Sequence, residues 1–315
     1  MIPTVLIASM VVFFAVRLIP GDIIDIMSEE MGTFTELDRQ AIEEMLGLDV
    51  PVFAQFGRWL GVARLADGTF KGIFQGNLGE SLWGQGSVIK LIGKRWPVTL
   101  ELGLLGLAMS QIIALPIGIW SVLRQNKFGD YFGRSLATLF ISLPNFWVGT
   151  MVIVFPSIWW GYMPPIMHVK FSEDPLGNLV MFVIPGFILG MALCGTTMRL
   201  TRGMMLEVMR QDYIRTAWSK GLRERNVVVR HALKNAFIPV ITLVGLQVPI
   251  LVGGTVIIEQ IFSLPGMGRL LINAIAQRDY PIVSGMLVVV AVAMVLINLL
   301  IDLIYAFLDP RIRYS

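Results

Sequence analysis

Long stretches without a charged side chain recur along the chain, separated by more polar segments. Each stretch is a continuous run rich in leucine, isoleucine, valine and methionine, without the alternation that a membrane-spanning strand would show. A helix needs about 20 mainly apolar residues to cross the hydrocarbon core of a bilayer, and it satisfies its backbone polar groups internally. The pattern therefore predicts six membrane-spanning helices, within residues 1–16, 102–123, 135–169, 175–198, 235–258 and 280–301.

Two of these stretches differ in length from a single span. The first is short, and it ends at Arg17, whose long side chain can reach the membrane interface. Because no basic region or clear Ala-x-Ala cleavage site accompanies it, we expect a retained helix, with a cleaved signal peptide as the alternative. The third stretch is too long for one span, and Trp159, Trp160 and Gly161 are expected to close it.

The composition agrees with a membrane protein. The 315 residues are 55% hydrophobic and 15% charged, and their mean hydropathy is +0.72, whereas soluble domains carry about 25% charged residues. These values exclude a soluble enzyme and a disordered chain. A disulfide scaffold is excluded because the one cysteine, Cys194, has no internal partner. A net charge of +3 is too small to indicate a nucleic-acid partner.

The distribution of charge predicts the orientation in the membrane, because short cytoplasmic loops are enriched in lysine and arginine. Residues 199–234 hold nine basic and three acidic side chains, a net charge of +6. Residues 20–96 hold 11 acidic and seven basic side chains, a net charge of −4. We therefore expect both termini and residues 199–234 in the cytoplasm, and residues 20–96 on the outer side.

The segment 20–96 is too long to be a structureless loop in a compact protein. Residues 35–38, Thr-Glu-Leu-Asp, resemble a helix start, and apolar residues follow at near-helical spacing. This pattern predicts a short amphipathic helix over about 35–46. A packing cap over the outer mouth is the simpler interpretation of the whole segment, and a substrate-capturing module is the alternative.

The segment 199–234 contains no proline and only two glycines, Gly203 and Gly221. Residues 205–217 suit a helix that continues out of the membrane. Gly221 is expected to mark a turn, because glycine costs roughly 1 kcal/mol against alanine in a helix interior. The apolar run Val227–Val229 follows the turn, and a helix with such a face outside the bilayer needs a partner to cover it. A solvated basic loop near anionic lipid is the alternative.

The sequence shows no catalytic, nucleotide-binding or metal-binding motif. Gly93-Lys94 does not fit the phosphate-binding pattern G-x-x-x-x-G-K-[ST]. His168 and His231 are expected on opposite sides of the membrane and could not share a metal. Glu101 and Glu259 lie near span ends, where interfacial water could hydrate them.

Two local features bear on helix packing and on a transport path. Gly186 and Gly190 form a G-x-x-x-G pattern, which lets helix backbones approach closely. Pro144-Asn145 places a helix break and a polar amide within the third stretch, where freed backbone groups need protein or water as partners. We therefore expect Pro144 and Asn145 to lie near a water-filled path.

Several motifs together resemble a known family. Residues 212–222 (DYIRTAWSKGL) and 231–239 (HALKNAFIP) resemble the peptide-transporter version of the EAA loop, which marks permease subunits of type I ABC importers. Arg215 stands where the general EAA consensus begins with glutamate. Similar motifs of the dipeptide and oligopeptide "B" permeases follow in order at 17–22 (RLIPGD), 46–49 (LGLD), 76–79 (GNLG), 97–102 (PVTLEL), 262–268 (FSLPGMG), 278–281 (RDYP) and 308–314 (LDPRIRY).

The resemblance implies an all-α integral membrane protein with six transmembrane helices in the type I ABC importer permease architecture, plus an ordered extracytoplasmic segment after the first helix. Such a protein is a multi-pass component of the prokaryotic inner membrane, with both termini in the cytoplasm. The implied organisation is a first transmembrane helix at 1–19, an extracytoplasmic segment at 20–96, a permease core at 97–308 with its coupling segment at about 199–234, and a cytoplasmic tail at 309–315.

The resemblance also implies the partners. They are a homologous second permease subunit, two ABC ATPase subunits, an extracytoplasmic substrate-binding protein and membrane lipid, with no nucleic acid. The chain would be a transport subunit and no enzyme; it would bind no cofactor itself, because ATP and Mg²⁺ belong to the ATPase subunits. The residues implied to couple to the ATPases are Arg215, Thr216, Ala217, Gly221, Leu222, Glu224 and Arg225. In this hypothesis Leu222 and the run Val227–Val229 fill an apolar groove on the ATPase, and Glu224 and Arg225 lie at the rim.

Dipeptides or oligopeptides are the substrates that the resemblance favours. Nickel complexes, opines, glutathione and oligosaccharides are alternatives within the same family. A secondary transporter working alone and a membrane-anchored assembly factor are alternatives of a different class. Intramembrane ion ligands and inverted repeats, which would favour a secondary transporter, are not apparent in the sequence.

Overall fold

The structure is a computed structural model, and it describes residues 2–18, 43, 48–65, 68–161 and 168–308. Regular structure in these residues is helical, apart from an isolated antiparallel bridge between Glu80 and Ser87. All but one residue of the helix predicted over 35–46 lies outside the described residues, as does the tail at 309–315.

Ten helices are numbered here in chain order. They are α1 (Ile2–Arg17), α2 (Val52–Leu60), α3 (Val88–Leu123), α4 (Phe128–Ser142), α5 (Asn145–Trp160), α6 (Pro175–Met209), α7 (Asp212–Ser219), α8 (Glu224–Ile261), α9 (Met267–Ala276) and α10 (Tyr280–Leu308). A short 3₁₀ turn lies at Ile73–Gln75, and α8 contains a π-helical stretch at Val227–Leu233.

Four of the helices, α3, α6, α8 and α10, are long and apolar enough to cross a membrane. The predicted third stretch is a bent pair, because α4 and α5 meet at 91°, and it makes a fifth span if the pair is counted as one. The first stretch forms α1, an apolar helix of 16 residues that is shorter than a usual span. The chain is thus an all-helical protein with four or five long apolar spans among its described residues.

Contacts divide the chain into two compact units. The first comprises Met1–Pro97 and Pro265–Leu296, and the second comprises Val98–Leu264 and Ile297–Ser315. In the first unit, apolar side chains of α9 and α10 pack with Leu78 and Val88. Ser81 Oγ donates to Asp279 Oδ2, and Trp83 Nε1 donates to the Gln277 carbonyl oxygen at 2.9 Å. The described part of the segment 20–96 therefore packs against α9, α10 and the residues between them.

The second unit is built around α6. Gly190 of α6 packs so closely against the Gly106 carbonyl of α3 that a β-carbon there would overlap it. Gly195 approaches the Ala137 carbonyl of α4 in the same way. These contacts confirm that small residues let the helix backbones of this unit pack closely.

One acidic side chain lies in a different environment from the one expected. Glu259 of α8 is fully buried, and it accepts a hydrogen bond from Thr99 Oγ1 at 2.6 Å. The expectation that water at the interface hydrates this carboxyl is therefore wrong. A buried carboxyl requires protein partners in place of water. The position of Glu259 near the end of a span does not show from the sequence which residues those partners are.

Candidate functional site

The segment 199–234 leaves α6 through a break and a turn. Helix α6 ends at Met209, Gln211 is extended with ψ of 150°, and α7 begins at Asp212. The helix expected to run without interruption over 205–217 is therefore two helices. Gly221 follows α7 with φ of +73°, which confirms the predicted turn.

Hydrogen bonds at the end of α7 explain why glycine occupies the turn. The Gly221 amide donates to the Trp218 carbonyl at 2.9 Å, and the Leu222 amide donates to the Ala217 carbonyl at 3.4 Å. This pair of bonds is a Schellman motif, which requires a residue in the left-handed region after the helix. Glycine adopts that conformation without a β-carbon penalty.

The inner face of the segment packs against its own chain. Ile214 and Ala217 of α7 are buried together with Met205 of α6 and with Val227 and Val228 of α8. The hypothesis that the whole run Val227–Val229 fills a groove on a partner is therefore wrong for its first two residues. The same packing places Ala217 in the core, where it cannot contact a partner directly.

The outer face of the segment exposes the remaining candidate residues. Five of them are exposed: Arg215, Thr216, Gly221, Glu224 and Arg225. Leu222 is half-buried against the buried cluster around Ile214 and Val227.

Three large apolar side chains are exposed beside these candidates. They are Tyr213, Trp218 and Val229, with exposed fractions of 42%, 42% and 51%. Tyr213 is held by a hydrogen bond from Asn235 Nδ2 to its hydroxyl at 2.7 Å. We call the exposed residues from Tyr213 to Val229 the coupling face. Tyr213 and Trp218 were missing from the candidate residues, although their position in the EAA-like stretch was a signal.

A salt bridge between α6 and α4, extended to α3 by a hydrogen bond, lies at the start of this segment. Arg202 of α6 donates to both carboxylate oxygens of Asp130 in α4, at 2.7 and 3.0 Å. Ser121 Oγ of α3 and the Asn126 amide donate to the same carboxylate at 2.8 and 3.0 Å. The Asp130 side chain is only 1% exposed. The pair is 72 residues apart in the sequence, so sequence reasoning missed it.

The predicted helix break is present at the bend between α4 and α5. Pro144 is extended with ψ of 127°, and Asn145 is the first residue of α5. Asn145 Nδ2 donates to the Leu189 carbonyl of α6 at 3.4 Å. Its Oδ1 is buried and receives no hydrogen bond. The break therefore places one unsatisfied amide oxygen inside the second unit.

A second group of amides lies further along α6. Gln247 Nε2 donates to the Leu193 carbonyl at 3.3 Å and to Thr197 Oγ1 at 3.1 Å. Gln111 Nε2 donates to Gln247 Oε1 at 3.3 Å, and its own Oε1 is buried without a donor. Together with Asn145, these contacts form a polar strip along α6, which sequence reasoning missed beyond Asn145. Unsatisfied buried oxygens of this kind are ready acceptors for water or a polar ligand.

The structure also bears on nucleotide and metal binding. Gly93-Lys94 lies within α3, so these residues form no phosphate-binding loop. Among the described residues, no three histidine, cysteine, aspartate or glutamate side chains are grouped so that they could hold a metal ion.

Comparisons with known proteins agree with this architecture. The family described as "Binding-protein-dependent transport system inner membrane component" matches residues 114–314, and the corresponding N-terminal family matches residues 1–103. A solved amino acid ABC transporter shares the fold, with a TM-score of 0.54 and 14% identity, over 69% of this chain and 94% of that chain.

Three relatives cover nearly the whole chain. A putative peptide transport system permease protein of Brucella abortus is 38% identical, over 100% of this chain and 96% of the relative. The dipeptide transport system permease protein DppB of Escherichia coli is 35% identical, with the same coverage of both chains. The oligopeptide transport system permease protein AppB of Bacillus subtilis is 35% identical, over 99% of this chain and 96% of the relative. The chain therefore belongs to the family of binding-protein-dependent transport system inner membrane components.

Proposed function

We propose that the chain is the permease subunit of an ATP-driven importer for dipeptides or oligopeptides, and that it forms half of the translocation pathway. The names of the relatives from Brucella, Escherichia and Bacillus support peptides as the substrate class. The other half comes from a homologous second permease. Two ATPase subunits with ATP and Mg²⁺ bind below, and a binding protein delivers substrate from outside.

The coupling face is the observation that carries this proposal. It presents Trp218 and Tyr213 among arginines, the residue types that dominate the binding energy of protein interfaces. Its inner side is fixed to α6 and α8 by the buried cluster around Ile214 and Val227. A displacement of the coupling face by the ATPases is therefore passed to the two long helices as a rigid motion.

The polar strip lies on the helices that this motion would displace. Gln247 of α8 and Asn145 of α5 both bind carbonyl groups of α6, and the strip contains unsatisfied oxygens. A shift of α6 or α8 changes which of these oxygens meet water or substrate. ATP binding can bias the pathway only through contacts that differ between the two states, and the strip offers such contacts.

The proposed topology has six crossings, with α1 as the first and the pair α4 and α5 as the third. Both termini and the coupling face lie in the cytoplasm, and residues 20–96 lie outside, as the charge distribution indicates. Within this topology the chain is divided as the sequence suggests, into residues 1–19, 20–96, 97–308 and 309–315. Nickel complexes, opines, glutathione and oligosaccharides stay as alternative substrates.

The coupling face is tested by comparing Trp218→Ala with Arg225→Ala. Truncation of a central aromatic anchor should weaken ATPase binding about ten-fold or more, whereas loss of a rim charge should change it by less than about two-fold. The measurement is co-purification of the ATPase subunits with each variant, alongside ATP hydrolysis stimulated by the loaded binding protein. Equal ATPase recovery with both variants would contradict the assignment of Trp218 to the interface.

A further inference from the structure

A cavity of about 290 Å³ lies within the first unit, beside the end of α1. Phe13 and Arg17 line it from α1, Arg58 and Trp59 from α2, and Tyr280 from α10. No aspartate or glutamate is among the described residues that line it. The cavity therefore combines aromatic walls with two guanidinium groups and lacks an acidic partner in the part of the chain that the structure describes.

Neutral groups hold Arg17 in this cavity. Its Nε and Nη2 donate to Gln55 Oε1 at 3.1 and 2.8 Å, and its Nη1 donates to the Phe13 carbonyl at 3.4 Å. The guanidinium carbon lies 3.5 Å from the centroid of the Phe13 ring. Gln55 is itself fixed, because its Nε2 donates to the Val50 carbonyl at 2.9 Å. These contacts orient the guanidinium group, but none of them supplies a negative charge.

Two further donors at the cavity also lack a negatively charged partner among the described residues. Trp59 Nε1 is buried and has no acceptor. Arg58, the preceding residue, lines the same cavity and has no ion pair among the described residues. A buried donor without an acceptor, and a partly buried charge without a counter-ion, both carry a desolvation cost. An anion in the cavity would remove both costs.

We propose that this cavity binds a phosphate-bearing anion, and this inference goes beyond the transport function. Arginine guanidinium groups pair with phosphate through parallel hydrogen bonds, and indole N–H groups can donate to its remaining oxygens. The outward face of α1 exposes Ile7, Met10 and Val11, as a helix in contact with lipid would. Arg17 ends that helix, so the cavity lies where an apolar helix meets phosphate headgroups. The anion comes either from a lipid headgroup or from a free phosphate ester.

The test measures ligand retention by native mass spectrometry on the full chain in a phosphate-free maltoside detergent. The two ligands are phosphatidylglycerol and glycerol 3-phosphate, titrated separately. The wild-type chain should bind phosphatidylglycerol, glycerol 3-phosphate or both. Binding of the lipid alone assigns the site to a headgroup, and binding of both assigns it to the phosphate group itself.

Arg58→Gln should weaken this binding about ten-fold, the usual effect of losing one charge-assisted hydrogen bond. Trp59→Phe keeps the ring, removes the N–H donor and should weaken binding about three-fold or more. Arg64→Gln is the matched control, because Arg64 belongs to the same segment but is exposed and does not line the cavity. If wild type binds neither ligand, or if Arg58→Gln binds both as tightly as Arg64→Gln does, the proposal is overturned.

Discussion

Single residues decide the path of the coupling segment. Gly221 could be recognised in the sequence because its role is local: a left-handed turn is needed wherever a helix ends in a Schellman motif. Val227 and Val228 could not be recognised as core residues, because three consecutive valines do not show which of them faces inward. Their burial depends on Met205 and Ile214, which other helices supply.

The positive φ of Gly221 predicts how substitutions at this position behave. No atom lies within 4 Å of a β-carbon built at Gly221, so substitutions there act through the backbone alone. Valine resists positive φ, whereas asparagine tolerates it, and the difference is roughly 1 kcal/mol or more. Gly221→Val should therefore reduce ATPase co-purification about five-fold, and Gly221→Asn should stay within about two-fold of wild type. Equal losses in the two variants would show that backbone conformation is not the cause.

Asn145 is expected to affect transport more than assembly. Asn145→Leu removes the bond to the Leu189 carbonyl and the unsatisfied Oδ1 from the polar strip. We expect peptide uptake to fall about five-fold or more, the effect of roughly 1 kcal/mol, while the amount of assembled complex stays near wild type. Thr196→Val is the control, because Thr196 is exposed on α6 and its hydroxyl bonds only within the helix. Wild-type uptake in Asn145→Leu would mean that the residue only packs.

Helix packing at the scale of elements depends on pairs that are distant in the sequence. The charge-free runs located most of the long helices, because a membrane helix is apolar along its length. They placed the start of α3 too late, since its first turns from Val88 carry Lys90, Lys94 and Arg95. They also could not reveal that Asp130 and Arg202 meet, because nothing local to either residue indicates the other.

The salt bridge between Asp130 and Arg202 is expected to stabilise the packing of α4 against α6. Asp130→Asn removes a buried charge that accepts four hydrogen bonds and leaves Arg202 unpaired. The expected loss is about 2 kcal/mol, which should lower the apparent Tm of the purified chain by roughly 4 °C. Asp212→Asn is the control, because its 3.5 Å pair with Arg215 is exposed on both sides and should matter little. Equal Tm values for the two variants would exclude a structural role for the buried pair.

At the level of the whole molecule, the chain is a membrane permease component of a binding-protein-dependent transport system. Its described residues offer no metal cluster, and its one Gly-Lys pair lies inside a helix. The coupling face lies at one end of α6, and the polar strip runs along the same helix. The family could be identified from motif order across the chain, whereas the strip depends on the packing of four helices and required the structure.

In the proposed function, ATP hydrolysis in partner subunits drives peptide transport through this chain. It is tested most directly by uptake of a labelled dipeptide into proteoliposomes that contain this permease, its second permease and the ATPases, with the binding protein added outside. Uptake should require internal ATP and every subunit, and Trp218→Ala should reduce it about ten-fold. Peptide uptake by this chain alone, or uptake driven by an ion gradient without ATP, would contradict the claim.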